Sequence, residues 1–314
     1  MSRILLTLAF LAIWPLQASA QTELLLGADN PGGSYYLYGG GLSNWINQHS
    51  KTIRLTSQTT RGSVENARLL ASHRIVFGLI NALAVYQQAK GIGQFKGQQS
   101  DKLRGIALLD MAPMHIVAYA SSGIRTMQDL AGKKVSIGAP GSGSASVASA
   151  LFSVAHLTGK VKTQNLGFSE SASNLRDGNI DAFIAASALP MPAIVDLASA
   201  NKITLIPLSD ADIKALHEQN PPYEPTTIPA NTYPGADSDV QTIGTASLLM
   251  GTESAPDDAV TEVLRQMYTP EALAYIRSIY KAWDPHSGQS VFDSIGVPLH
   301  PAAIRFYKEN GVIK

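Results

Sequence analysis

Cysteine is absent from this 314-residue chain. Without a thiol there is no disulfide, no cysteine zinc site and no lipid-modified N-terminal cysteine, so the fold must be held by its core. Net charge is absent as well, since 24 Lys and Arg offset 24 Asp and Glu. That balance excludes the bulk basic field by which a protein gathers nucleic acid or an anionic membrane surface. The seven histidines, at 49, 73, 115, 156, 217, 286 and 300, are nowhere paired at helical metal-ligand spacing. Neither a His-Glu-x-x-His zinc motif nor a Gly-x-Ser-x-Gly nucleophile elbow occurs. Gly132-Lys133 resembles the end of a phosphate-binding loop, but Met127 stands where the first glycine belongs. Ser199 and Lys202 have a serine-lysine spacing at the tail of a predicted helix, without the companion motifs such an enzyme needs. No catalytic residue, metal or cofactor is therefore expected, and the chain reads as a binding protein, not an enzyme.

Long apolar runs are also missing, with one short exception. Residues 4–14 form an apolar run after Arg3, too short to span a bilayer, and Ala18-Ser19-Ala20 is a small-x-small cleavage signal before Gln21. Residues 1–20 are expected to be a secretory signal peptide, and the mature chain to work free in the periplasm of a double-membraned bacterium. Apolar residues make up 45% of the chain, enough for one large or two moderate cores.

What is present is a repeated local grammar. Val135-Ser136-Ile137-Gly138 reads as a buried strand, and Ala139-Pro140-Gly141-Ser142-Gly143-Ser144 as a tight turn. Val147, Leu151 and Val154 then follow at helical spacing. The helix start exposes unpaired N–H groups and roughly half a positive charge, a setting that suits an anion. Taken alone, Ser142 or Ser144 is equally a simple helix cap. The grammar recurs, however, at Leu24-Leu25-Leu26-Gly27 leading through Gly32-Gly33-Ser34, and at Ile53-Arg54-Leu55-Thr56 leading through Arg61-Gly62-Ser63. In open α/β sheets such turns converge beyond the carboxyl ends of the strands.

Strands are expected at 24–26, 53–56, 75–80, 105–109, 115–119, 182–186 and 203–208, alternating with helices. Residues 220–239, rich in Pro, Thr, Tyr and Asp, read as an excursion over the surface, and 242–250 resumes a strand. Two consecutive α/β units imply two lobes with a cleft between them. The expected division is 21–117 and 245–314 for lobe I and 118–244 for lobe II.

The chain resembles the TAXI-type solute-binding subunit of TRAP transporters over essentially its whole mature length. The resemblance rests on Gly32-Gly33-Ser34-Tyr35-Tyr36, Gly62-Ser63-Val64-Glu65-Asn66, Gly138-x-Pro140-Gly141-Ser142-Gly143-Ser144, Gly178-x-Ile180-Asp181-Ala182-Phe183, Tyr233-Pro234-Gly235 and His300-Pro301-x-Ala303. It implies a two-lobed periplasmic-binding-protein fold of type II, each lobe a mainly parallel sheet flanked by helices. It also implies hinged closure on a small acidic solute: a dicarboxylate, an oxo-acid or a glutamate-like amino acid. The implied partners are that solute and the small and large TRAP membrane subunits, with no nucleic acid and a monomeric receptor.

By matching positions the expected ligand residues are Gly33, Ser34, Tyr36, Gly62, Ser63, Ser142, Gly143 and Ser144, with Asn81 and Ser187 added as strand-end residues. Arg61 departs from the family's small residue, and one reading is that its guanidinium forks onto a ligand carboxylate. The family's polar-acidic group after the third strand is here Asn81-Ala82-Leu83. That loss favours dicarboxylates or oxo-acids over amino acids. The alternative function is a periplasmic sensing module that reports a ligand to a membrane partner.

Overall fold

The computed structural model describes residues 21–314, and the expected signal peptide lies outside the described residues. The first lobe opens with β1 (Thr22–Gly27), α1 (Ser34–His49), β2 (Ile53–Gln58), α2 (Ser63–Ala71), β3 (Phe77–Asn81), α3 (Ala82–Lys90) and the long β4 (Leu103–Tyr119). The second continues with β5 (Lys134–Ser136), α4 (Gly143–Val154), β6 (Lys162–Gln164), α5 (Phe168–Arg176), β7 (Ala182–Ala186) and α6 (Pro192–Ala200). It is completed by β8 (Ile203–Leu205), α7 (Asp210–Gln219) and β9 (Glu224–Ile228). The long β10 (Val240–Thr252) leads back to the first lobe, where α8 (Asp257–Met267), α9 (Pro270–Ile279), α10 (Gln289–Ile295) and α11 (Pro301–Glu309) end the chain.

The strand order is β2-β1-β3-β10-β4-β7-β5-β6, with β8 beside β4 and β9 beside β10. One half-sheet, β2-β1-β3-β10-β4, carries the first lobe. The far end of β4 carries the second through β7, β5, β6 and β8. Each lobe keeps a mainly parallel set of strands, β2, β1, β3 and β4 in the first and β7, β5, β6 and β8 in the second. Because β4 and β10 run through both lobes in opposite directions, they add antiparallel pairings, so that four pairings are parallel and five antiparallel. Strand-helix alternation reveals the parallel βαβ pairs, but not the direction of a strand that returns more than a hundred residues later.

Two expectations change. The strands at 105–109 and 115–119 are one strand, because pairing continues through the polar gap: Asp110 faces Ser247, Ala112 faces Thr245 and Pro113 faces Gly244. The 220–239 stretch holds β9, an edge strand against β10. Its Pro225 is tolerated because an edge needs no donor on its outer side.

Burial follows the two periodicities. In β7, Ile184 enters one core with Val135, Leu151 and Leu216, while Phe183 and Ala185 enter another with Leu197 and Ile203 on the opposite face. The first lobe has a single large core in which Tyr38, Phe77, Leu248 and Trp283 are fully buried. Tyr38 meets Tyr280 and Trp283 edge-on, with ring centroids 5.2 and 5.0 Å apart, a geometry worth about 0.5–1.5 kcal/mol per pair beyond burial. The two buried histidines have structural partners. His300 Nδ1 accepts from the Ala302 N–H as cap of α11. His115 bonds the Tyr233 hydroxyl at 2.7 Å, and burial pushes its pKa down to about 4.

Asn66 ties the site's foundations together. Its Nδ2 reaches the carbonyls of Gly27, Ala28 and Leu79 at 3.1, 2.7 and 2.8 Å, fixing the carboxyl ends of β1 and β3 to α2. Asn66→Ala would leave three buried carbonyls without this donor. We expect a loss of about 2–4 kcal/mol in urea unfolding, and a loss below 1 kcal/mol would show that the carbonyls are satisfied elsewhere. Among the described residues, no helix is long and apolar enough to cross a membrane, and no cluster of three His, Cys, Asp or Glu could hold a metal ion.

Candidate functional site

Each of five helices follows a parallel strand: α1 follows β1, α2 follows β2, α3 follows β3, α4 follows β5 and α5 follows β6. Their N-terminal ends therefore collect at the carboxyl edges of the two half-sheets and face one another across the gap between the lobes. One cavity occupies that gap. Ser34, Ser63 and Asn81 reach it from α1, α2 and the cap of α3. Ser142, Gly143 and Ser144 reach it from the start of α4, and Phe168 from α5. Ala112 of β4 and Thr245 of β10 form its floor. With the positive ends of several helix dipoles pointing inward, this part of the cavity wall offers a field that suits a negatively charged group.

The lobes are closed on it. Ser34 donates its N–H to Ser187 Oγ at 3.1 Å, and its own Oγ accepts from the Ala188 N–H at 3.3 Å. The Glu65 N–H meets the Gly141 carbonyl at 3.2 Å and the Ser169 N–H meets that of Pro31 at 3.3 Å. Asn30 Oδ1 accepts from the Phe168 N–H at 2.7 Å, capping α5 from the other lobe. The Tyr280 hydroxyl bonds the carbonyls of Ala188 and Pro190 at 2.6 and 2.8 Å. The free volume left inside is about 10 Å³, room for about one water. A solute enters only when the lobes part.

The charge inside is the opposite of a dicarboxylate site. No Lys, Arg or His lines the cavity, and Asp29 does. The Asp29 Oδ1 accepts from the Asn30 N–H and Nδ2 at 2.7 and 2.6 Å. Burial nevertheless outweighs those bonds and pushes its pKa up to about 7. Gly62 makes the approach possible: its φ is +99°, and a Cβ there would stand 3.0 Å from Asp29 Oδ1. A second carboxylate, Asp110, sits one step along the same face of β4 as Ala112. Burial raises its pKa to about 6, against the hydrogen bond it receives from the Tyr38 hydroxyl. Donors at the helix starts and carboxylates at one end together suit a solute carrying both charges.

Six of the expected residues are brought together: Ser34, Ser63, Asn81, Ser142, Gly143 and Ser144. Three stand just behind them. Gly33 caps α1 under the Phe168 ring, Gly62 admits Asp29, and Ser187 clasps Ser34. Two lie elsewhere. Tyr36 is 41% exposed and borders an outer depression with Tyr275 and Ile279, because one helical step of about 100° turns Tyr35 into the cavity instead. Arg61 lines a surface groove with Arg68 and Arg74, its N–H held by Glu65 at 2.6 Å. The turn holds Arg61 off the cavity wall, at the rim where Pro140 and Gly141 of the second lobe approach, while Gly62 and Ser63 face inward. Arg61→Ala should change the affinity for any bound solute by less than twofold in calorimetry, and a tenfold loss would return the guanidinium to the site.

Asp29, Tyr35, Phe168 and Thr245 also line the cavity, beyond the residues expected from the sequence. Asp29 was accessible to the rule that found Asn81, since it is the first charged residue past the carboxyl end of β1. Thr245 had no local signal, because its position depends on the return of β10.

Solved structures share this architecture at low identity. A Bordetella bronchiseptica protein aligns at TM-score 0.57 and 14% identity, covering 93% of this chain and 98% of its own. A putative L-cystine ABC transporter protein of Listeria monocytogenes aligns at 0.51 and 14%, covering 83% and 95%. A structure from the study of glutathione import through GshT and a cystine importer in Streptococcus mutans aligns at 0.51 and 13%, covering 90% and 98%. The fold is that of two-lobed type II periplasmic binding proteins. With a family model matched over residues 26–311, nearly the whole described chain, this protein belongs to the NMT1-like family.

Proposed function

We propose that this protein is the solute receptor of a membrane transporter. It would close on a small zwitterion, holding a carboxylate at the helix starts and an ammonium at Asp29. The observation that carries this reading is the meeting of five helix N-termini with one buried carboxylate around a single closed cavity that no basic side chain enters. A carboxylate fits the donors of α2 and α4. An ammonium restores to Asp29 the ion pairing that burial denies it. Among the expected acidic solutes, this charge pattern favours the amino acid over the dicarboxylate and the oxo-acid. The Listeria protein, a putative L-cystine ABC transporter, and the Streptococcus structure from the work on glutathione import point to solutes of similar chemistry.

Closure would bend β4 at 110–113 and β10 at 244–247, where the strands pass between lobes and a register shift interrupts the ladder after Ser247. On this reading the first crossover comes before the 117/118 boundary that the sequence suggests. The membrane partner on this reading is the pair of small and large TRAP subunits, on the motifs that resemble the TAXI type, although the Listeria neighbour is a putative ABC transporter protein. A periplasmic location follows from that role.

Native mass spectrometry of the protein as purified, followed by unfolding and refolding to strip it, identifies the carried solute. Thermal shift of the stripped protein with amino acids, dicarboxylates and oxo-acids then tests the class. Stabilisation by dicarboxylates alone overturns the zwitterion reading. Uptake into vesicles carrying the membrane subunits should follow an ion gradient without ATP, and dependence on ATP would assign an ABC partner.

A further inference from the structure

The cavity floor continues into a polar corner that the zwitterion reading leaves unused. Thr245 and Ser247 are two residues apart on β10 and share a face. Opposite them, Ala112 and Asp110 share the matching face of β4, in register Thr245 to Ala112 and Ser247 to Asp110. Since Thr245 and Ala112 line the cavity, Asp110 and Ser247 are its next layer, reached by going deeper between the two strands and α1. Thr245 and Ser247 are 2% and 0% exposed. Yet Asp110 Oδ1, Thr245 Oγ1 and Ser247 Oγ are all sealed from water with no hydrogen-bond partner.

The rest of the corner is firmly built. The Tyr38 hydroxyl donates to the other Asp110 oxygen. Tyr38 is itself wedged between Tyr280 and Trp283. The Ser247 hydroxyl lies near enough to the Tyr35 phenol and to Asp110 to influence both, while making an aligned bond with neither. A buried carboxylate oxygen and two buried hydroxyls without aligned partners are costly to keep, and three such groups side by side suit a ligand that brings polar hydrogens of its own.

Resting on the zwitterion reading, we infer that Asp110, Thr245 and Ser247 form a specificity subsite for a distal N–H group of the solute. The ligand class would then be an α-amino acid whose side chain ends in an amide or a cationic nitrogen. With its carboxylate at the starts of α2 and α4 and its ammonium at Asp29, the side chain points toward the floor between β4 and β10. There Asp110 Oδ1 accepts one N–H and the two hydroxyls accept others. A side chain ending in a carboxylate meets Asp110 with like charge, and an aliphatic one leaves three acceptors bare. Both are rejected more strongly than shape alone would achieve.

The test is calorimetry on the stripped protein with glutamine, lysine, norvaline and glutamate, in sodium chloride and again in choline chloride. Glutamine or lysine should bind at least about tenfold more tightly than norvaline, with glutamate weakest. In the Thr245→Val and Ser247→Ala variants, which keep volume close to native, the preference over norvaline should fall to within about threefold, because the polar solutes lose a partner and norvaline no longer leaves that hydroxyl bare. Asp110→Asn should weaken lysine more than glutamine, and the two hydroxyl variants decide the matter if it fails to fold. Equal binding of norvaline and glutamine, or tightest binding of glutamate, overturns the subsite. So does binding of every solute that needs sodium and loses that need in Ser247→Ala, since the corner would then hold an inorganic cation. If no amino acid binds and dicarboxylates do, the zwitterion reading itself has failed.

Discussion

Asp29→Asn is expected to weaken binding of a zwitterionic solute by about a hundredfold or more while making the ligand-free protein more stable at pH 8. The two effects have one cause. Burial raises the folded pKa of Asp29 from 3.8 to about 7, so the folded state holds a proton over a range in which the unfolded chain has released it. For an acid shifted upward, the sign is that stability falls as pH rises from about 4 to about 7 and then levels. The full penalty, for about three pH units, approaches 4 kcal/mol. Asparagine keeps the shape and an oxygen for the Asn30 donors and removes that penalty. Melting temperatures of variant and wild type should coincide near pH 4 and separate by pH 8, with the variant higher.

Binding runs the other way, because an ammonium needs the ionised carboxylate. Wild-type affinity should rise through pH 6–7 and flatten by about pH 8. At pH 5 it should be on the order of a hundredfold weaker, since only a small fraction of the protein then presents the charge. Titration calorimetry across this range checks both claims. A flat pH profile, or a variant that binds as well as wild type, removes Asp29 from contact with the solute.

Gly143→Ala should block closure without harming either lobe. A Cβ at position 143 would collide with Asn81 Nδ2 and stand 3.2 Å from Ser63 Oγ, and both belong to the opposite lobe. Asn81 has little freedom to yield. Its Oδ1 caps α3 by accepting from the Ala84 N–H at 2.8 Å, and its own N–H bonds Ser63 Oγ at 3.1 Å. Relief therefore comes from parting the lobes, at about 1–3 kcal/mol for the overlap, or roughly tenfold to a hundredfold in affinity. In the open form the alanine sits at a helix start where it costs nothing and lowers the entropy of the unfolded chain. The variant should melt no lower than wild type. Small-angle scattering should lose the contraction on adding solute, and retention of both contraction and affinity would show that the closed state accommodates a methyl group there.

The two variants separate the two halves of recognition. Asp29→Asn keeps closure and removes a charge, whereas Gly143→Ala keeps the charge and removes closure. Binding at low pH or in the closure-blocked variant should thus fail for different reasons, visible as a pH-dependent defect in one and a pH-independent defect in the other.

Much of this was decided locally, by residues whose neighbours in sequence are their neighbours in space. Ser34, Ser63 and Ser142 to Ser144 each follow a strand and begin a helix, so a strand-turn-helix pattern was enough to place them at the carboxyl edge of a sheet, and the chemistry of a helix start indicated an anion. The absence of cysteine and of paired histidines likewise removed disulfides and common metal sites without reference to any fold. Other features required contacts between distant segments. Helical phase exchanged Tyr36 for Tyr35, because which side of α1 faces the gap depends on how the helix packs against the core. The charge of the site changed sign of preference because Asp29 is buried at the cavity between the lobes, and burial is a property of the assembled molecule. The corner of Asp110, Thr245 and Ser247 exists only because β10 returns antiparallel to β4 in one particular register, a pairing that more than a hundred residues of intervening chain conceal.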